Sequence, residues 1–400
     1  MISVEEALEL VLSNKKDFGT ETINLLHSIG RILAQPVLAD RDFPAFDRVT
    51  MDGIAISYNT FAQGQKSYTI EGIQPAGVKQ TMLHNKAHCI EVMTGSVLPV
   101  NADVVIPYEQ CEITNGIASL TTDKITCFQN IHNQGSDAKA GDVLIEKFEK
   151  ITPAIAGILA SVGLSDVEVL RLPALAICST GEELVDIEQI PESHQVRKSN
   201  IYALATALIS EGIQVTIDHL PDEPAQMKGQ IKQLIATHDA ILFSGAVSKG
   251  KFDYLPGVLS DLDMKLIFHK VAQKPGKPFL FGKFDNGPIV FGFPGNPVST
   301  FACFYIFFYA WLKASLHQKS ATGSAILDKD IRFTANLDYH VLVKTTFKNG
   351  VLYASPVSGT NSGDLVSIGK ADGLITLPRN KELFKAGEVF RFIPFCRNGL

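Results

Sequence analysis

Three lysines, Lys270, Lys274 and Lys277, fall within the single stretch KVAQKPGKP, interrupted by Pro275 and Gly276. The flanks KLIF and PFLFG are apolar, so this positive charge sits at the mouth of a buried strand, not along a solvated face. On a strand Lys270 and Lys274 share a face, and the Pro-Gly pair ends the strand and swings Lys277 back. Three ammonium groups converging on one point suit an anionic ligand. Upstream, SGAVSKGKFD (residues 244–253) sets Gly245, Gly250 and Lys251 at nearly the spacing of a phosphate-cradling P-loop. Phe252 stands where such a loop needs Ser or Thr for magnesium, which counts against a P-loop-like nucleotide hydrolase. The stretch reads instead as a different anion-binding loop, with Asp253 approaching the ligand or a metal ion.

Other polar residues have ordinary local uses. DFPAFDRVTMDGIAIS places Asp52 before Gly53, where Asp serves a turn, and EVMTGSVLPV carries a similar turn at Thr94. Asp222, ahead of Glu223 and Pro224, reads as a helix N-cap. His84 and His88 have metal spacing only on a helix, and LHNKAHC is a poor one, so they receive no role.

The elements that must position these groups follow from length and pattern. Four hundred residues imply roughly two to four domains. A composition of 46% hydrophobic and 20% charged residues is that of ordinary globular protein, and a net charge of −6 without a basic run excludes the footprint of a duplex-nucleic-acid binder. Any anion must therefore be met by local cations. Six cysteines without a CxxC pair point to free thiols in a reducing, cytoplasmic compartment. The opening MISVEEALEL is acidic, with Ser3 and Glu6 spaced as a capping box, and predicts a helix instead of a targeting segment. The apolar run TFACFYIFFYAWL is too short to span a bilayer and reads as a buried helix, so no membrane partner is expected.

From about Pro173 to Leu316, apolar strands alternate with helices: ALAICS, then SNIYALATALISEG opening on a capping Ser-Asn pair, then IQVTIDHL, and so on. That alternation predicts a parallel sheet covered on both faces, with its ligand crevice at the carboxyl ends of the strands. Residues 46–138 are a succession of short β-prone runs without a convincing helix, which predicts an inserted β domain between flanks that carry helical patterns (1–45 and 139–171). The α/β region is expected over 172–322, and a C-terminal β domain or barrel over 323–400.

Six motifs in order, FPAFDRVTMDGIA, EVMTGSVLPVNADVVIPYE, STGEEL, SGAVSKGKFD, KPGKP and GFPGNPVSTF, resemble the molybdopterin molybdenumtransferases, the MoeA family that includes the E domain of gephyrin. The likeness covers nearly the whole chain. It implies a multidomain α/β protein with a central three-layer α/β/α molybdopterin-binding domain, a β-rich insertion, a helical linker domain and a C-terminal β-barrel-like domain. It further implies an enzyme that inserts molybdate into adenylylated molybdopterin with Mg2+ and releases AMP. A homodimer with an active site shared across subunits is implied, Asp52 entering from the partner, and the molybdopterin adenylyltransferase is an expected contact. A non-catalytic gephyrin-like scaffold is the alternative.

Carried over by position, the family's catalytic residues fall on Asp52, Thr94, Asp222, Asp253, Lys270 and Lys274. Substrate-binding positions fall on Gly245, Ser248, Gly250, Lys277, Pro294, Gly295, Asn296 and Ser362, and the metal ligands on Glu183, Asp222 and Asp253. Three departures stand out, the first being STGEEL for the commoner STGDEL, in which Glu182 keeps the acid but lengthens it by one methylene. Ala246 replaces a usual glycine, and His132, Asn133 and Gln134 occupy a stretch that is often arginine-rich in the family, leaving Lys139 as the nearest substitute cation.

Overall fold

The strand Leu175–Thr180 (β1) is buried along its whole length, so it belongs in a sheet covered on both faces. It shares that sheet with Val215–Leu220 (β2), Ala240–Ser244 (β3), Lys265–His269 (β4), Leu280–Lys283 (β5) and Ile289–Phe293 (β6), in the spatial order β2-β1-β3-β6-β5-β4. This computed structural model describes residues 1–245, 247, 253–320, 322–359 and 361–395. They divide into two compact units, Thr22–Glu168 and Met1–Glu21 together with Val169–Leu400. The six-stranded sheet belongs to the second of these.

The sheet is parallel across β2, β1, β3 and β6, and antiparallel at β5 and β4. The uniformly parallel sheet expected from the alternation is therefore corrected at one edge. A parallel return needs a crossover of a dozen or so residues, and only residues 284–288 separate β5 from β6. The direction of winding reverses between β1 and β3, which opens a crevice at their carboxyl ends.

Helices cover both faces. Val4–Ser13 (α1) starts on Ser3, whose hydroxyl accepts the Glu6 N–H at 3.1 Å, as the capping pattern predicts. Asn200–Ile209 (α2) lies on one face, whereas Pro224–Thr237 (α3) and Leu255–Asp261 (α4) pack Met227, Ile231, Val258 and Leu259 against Ala176, Phe243 and Val290 on the other. The expected N-cap of α3 moves by one residue: Glu223, not Asp222, accepts the Ala225 and Gln226 N–H groups.

The aromatic run becomes a helix of 19 residues, Pro297–Ser315 (α5), with a π-helical turn at Phe304–Phe308. Flanking residues extend it beyond the run read from sequence. By length and composition it matches a membrane span, but 72% of its 18-residue apolar window is buried, as in a core helix. Phe307 stacks on Phe279 at 4.6 Å, and the Trp311 indole donates to the Asn14 carbonyl at 2.9 Å, which ties α1 to this core.

The chain then closes a five-stranded barrel. Asp338–Lys348 (β8) follows Gly323–Leu327 (β7) and turns into Val351–Pro356 (β9). Gly373–Leu377 (β10) pairs with both β8 and Val389–Pro394 (β11), while β7 pairs with β11 and β9. That circuit leaves no open edge among the five.

The unit Thr22–Glu168 holds a second six-stranded sheet, in which Gly53–Ile56 and Val104–Pro107 are buried throughout. Alternate residues explain why: Ala55 and Val105 face one apolar cluster, Ile54, Ile56, Val104 and Ile106 another. Its flanks carry the helix Pro153–Ser161 and short antiparallel pairs such as Val37–Leu38 with Val143–Ile145, so they are less purely helical than the pattern suggested.

Phe307→Ala should remove about 3–5 kcal/mol of unfolding free energy. Urea melts followed by fluorescence of Trp311, the single tryptophan, read this directly. An unshifted midpoint would show that the ring stack does not hold the unit together.

Candidate active site

At the carboxyl ends of β1, β3 and β6 the backbone is packed too closely for side chains. Gly245 takes φ +106, and a Cβ there would lie 2.8 Å from the Thr180 hydroxyl. Its N–H donates to the Phe293 carbonyl at 3.1 Å, which draws Gly245 against the end of β6. Thr180 Oγ1 is buried beneath Gly245 and has no hydrogen-bond partner among the described residues.

Asn200 locks these strand ends together. Its position at the start of α2 reads as a cap in sequence, yet no side-chain cap is made there. Instead the amide donates to Ser244 Oγ at 3.0 Å, the Gly295 carbonyl at 2.8 Å and Thr300 Oγ1 at 3.3 Å. Sequence reasoning missed this role because an Asn at a helix start has a sufficient local explanation.

Acidic groups gather on the same rim. The Asp222 N–H donates to Glu182 Oε1 at 3.2 Å. Partial burial raises the Asp222 pKa, a hydrogen bond from the Glu182 backbone to its carboxyl opposes that, and the negative charges of Glu182 and Glu183 add to the rise. Crowded, partly desolvated carboxylates are a cation-seeking arrangement, because a bound cation removes the mutual repulsion. Among the described residues, however, no three His, Cys, Asp or Glu side chains are grouped closely enough to hold a metal unaided. All-oxygen donors that need completion by water and phosphate fit Mg2+ better than any thiol- or imidazole-seeking ion. Glu182, the lengthened acid of STGEEL, thus joins the carboxylates expected at the metal.

A cavity of about 530 Å3 lies between the α/β sheet region and the barrel, lined in part by Lys274, Lys277, Pro294, Asn296, Tyr339 and Ser362. The Asn296 amide donates to Ser362 Oγ at 2.9 Å, and the Val298 N–H donates to the Ser362 carbonyl at 3.0 Å. Loop 294–296 is thus shared: Gly295 faces the Asn200 clamp, while Pro294 and Asn296 face the cavity.

The lysines do not share a strand face as expected. β4 stops at His269, and Lys270 has φ +84. Lys274 lies in a separate short strand, Gln273–Lys274, that pairs with Asp338 and Tyr339 of the barrel. Barrel pairing draws this segment out of the α/β sheet. Lys270 is half-buried and does not line the cavity; Lys274 and Lys277 are exposed there. Among the described residues none of the three forms an ion pair, and Lys274 Nζ lies 5.5 Å from the Phe333 ring and 5.9 Å from that of Tyr339.

Asp253 is half-buried just before α4. Because α4 begins only at Leu255, the helix start a P-loop requires directly after its Lys is displaced. Ser248, Gly250 and Ala246 lie outside the described residues.

In the unit Thr22–Glu168, Asp52 and Thr94 form one pair. The Thr94 N–H and hydroxyl both donate to Asp52 Oδ1, at 2.6 and 2.8 Å. These bonds, the backbone one foremost, hold the exposed Asp52 carboxyl below the usual carboxylate range. In the same unit His132 pairs across strands with Arg48, whose guanidinium reaches the imidazole at 3.0 Å. A cation therefore stands beside the arginine-poor stretch after all, delivered by a strand remote in sequence.

Replacing Asn200 with Ala should cost about 1–3 kcal/mol and speed amide exchange in the loop after β6. Wild-type exchange there would refute the clamp. For Asp222 the sign is opposite. The fold disfavours its ionised form, a penalty present above the raised pKa and absent below the unfolded value of about 3.9. Asp222→Asn should thus melt no earlier than the parent at neutral pH, with the difference vanishing near about pH 4.

Three family models cover most of the chain: "MoeA N-terminal region (domain I and II)" matches residues 2–163, "Probable molybdopterin binding domain" residues 176–314, and "MoeA C-terminal region (domain IV)" residues 324–395. The molybdopterin molybdenumtransferase of Synechocystis sp. is 38% identical over 396 residues, 98% of this chain and 99% of that protein. That of Staphylococcus epidermidis is 31% identical, over 97% and 94%. The crystal structure of a molybdopterin biosynthesis MoeA protein from Pyrococcus horikosii superposes with a TM-score of 0.86 at 27% identity, covering 99% of this chain and 100% of that one. With likeness spanning all three matched regions and the fold alike, the chain belongs to the molybdopterin molybdenumtransferase family.

Proposed function

We propose that this protein inserts molybdate into adenylylated molybdopterin and releases AMP, as a step of molybdenum cofactor biosynthesis. One observation carries the reading. Lys274 and Lys277, without ion-pair partners among the described residues, line a cavity that shares loop 294–296 with the carboxyl ends of the sheet, where Glu182 and Glu183 follow β1 and Asp222 follows β2.

The chemistry asks for that separation. Molybdate is a dianion and the adenylylated pterin carries a pyrophosphate, so the two substrates repel each other. At 4 Å, two unit charges interact by about 1 kcal/mol in water and about 4 kcal/mol near a protein surface, enough to impede their meeting. Unpaired lysines offset that repulsion without first having to break a bond to a carboxylate. Ser362 and Asn296, already bonded to each other, present a hydroxyl and a carbonyl group at the cavity wall for orientation. Glu183, Asp222 and Asp253 would hold Mg2+ only together with water and the substrate's phosphate oxygens, since they are not grouped closely enough to do so alone, and the ion would supply charge neutralisation on the pyrophosphate and the departing AMP. Asp52, kept ionised by Thr94, would act from the partner subunit of a homodimer. The free state of Cys89, Cys111, Cys127, Cys178 and Cys303 supports a reducing, cytoplasmic setting. The molybdopterin adenylyltransferase, which would supply the substrate, is the expected contact.

Purified protein given adenylylated molybdopterin, molybdate and Mg2+ should release AMP, and a chelator should stop it. Absence of AMP from the wild-type protein would overturn the reading. Lys274→Ala and Asp52→Asn should each lower the rate by about 10²–10³, with melting temperatures nearly unchanged. Co-assembly of these two variants should restore activity, because one of the two sites in a mixed dimer then has both native residues. Failure of that complementation would argue for a site contained in one subunit.

A further inference from the structure

Beneath the lysine turn runs a chain of polar groups removed from solvent. Gln273 is 0% exposed and His340, on β8, is 2% exposed. Burying such groups is unfavourable unless each bond is satisfied, and here every one is. The Gln273 amide nitrogen donates to the Gly276 carbonyl at 2.8 Å and approaches Cys303 Sγ at 3.3 Å. The Cys303 thiol, on α5, donates to the same carbonyl at 3.6 Å. With its nitrogen engaged by Gly276, the Gln273 amide turns its oxygen to His340 Nε2 at 3.1 Å, which must therefore carry the proton. His340 Nδ1 then accepts from Thr376 Oγ1 at 3.0 Å. Complete burial keeps the imidazole neutral, with its pKa pushed down to about 3.

The consequence is geometric. Gln273 precedes Lys274, and His340 follows Tyr339, whose ring lies under the Lys274 ammonium. The backbones of Gln273 and Lys274 pair with Asp338 and Tyr339, so the side-chain bond from Gln273 to His340 sets the register of that pairing from within. The bond to Gly276 fixes the far side of the same turn. Gly276 has φ +89, and a Cβ there would meet Cys303 Sγ at 2.5 Å, so the turn is seated directly on α5.

We infer that Gln273 and His340 are positioning residues for the turn 274–277: together they hold Lys274 and Lys277 at a set distance from the Tyr339 wall of the cavity. Both contribute to the cavity lining, but their side-chain polar atoms are engaged by each other, Gly276 and Thr376. They act through the lysines, as a strut between the α/β sheet region and the barrel. This inference rests on the insertion reading, because it concerns the oxyanion those lysines would meet.

The test uses the full-length protein with molybdate as the varied substrate. Gln273→Met keeps the volume but removes both bonds. It should raise the KM for molybdate by about tenfold while kcat falls less. His340→Gln, whose amide can still donate to Gln273, should stay within about threefold of wild type. Thr376→Val, a milder change on the barrel side, should shift KM in the same direction as Gln273→Met and covers the case in which the latter folds poorly. Hydrogen exchange of the 271–280 peptide should quicken in Gln273→Met and Thr376→Val in step with KM. Unchanged KM in both variants, whatever their melting temperatures, would reduce the network to a stabilising role and overturn the inference. An inactive wild-type protein would instead bring down the insertion reading, so the two failures are distinguishable.

Discussion

The close approach of bare backbone at the carboxyl ends of β1, β3 and β6 is the constraint on which the candidate site depends. With no Cβ, Gly245 settles over Thr180 and bonds the end of β6. Only then does the Asn200 amide span Ser244, Gly295 and Thr300 at once. Displacing Gly245 would loosen the turn 294–296 that Asn200 holds, and with it the Asn296 to Ser362 bond on the cavity wall. Rigidity of this kind precedes electrostatics, since charges act on a substrate only from fixed positions.

Charge is sorted on that frame by sign. Carboxylates collect at the crevice rim, where partial burial, with the charges of Glu182 and Glu183, raises the Asp222 pKa. Lysines collect at the cavity, without carboxylate partners among the described residues. Lys274 rests on the Phe333 and Tyr339 rings, which attract a cation without neutralising it. A net charge of −6 makes this local sorting necessary, because the chain as a whole repels anions.

The lysine turn belongs to two neighbours at once. Its backbone pairs with the barrel through Gln273–Lys274, while Gly276 lies against Cys303 of the α/β region's core helix. A segment so placed transmits the relative seating of those two parts to the ammonium groups it carries. Buried polar pairs such as Gln273 and His340 are suited to this, since a misaligned register would leave both unsatisfied.

Apolar periodicity determined much of this architecture before any tertiary contact was known. Runs such as ALAICS and AILFSG can be satisfied only in a sheet covered on both faces, and the β-prone runs near each end cannot form helices of length. The clustering of lysines beside Pro275 and Gly276 likewise singled out a turn that the structure places at the cavity. Tertiary structure alone decided where each lysine went: Lys270 and Lys274 look like strand neighbours until barrel pairing separates them. It decided that Asn200 clamps loops instead of capping a helix, and that Arg48 stands beside His132. The reason is range. Helix and strand preferences are written in neighbours a few residues apart, whereas a cross-strand partner or a loop clamp depends on residues remote in the chain, whose meeting no local pattern encodes.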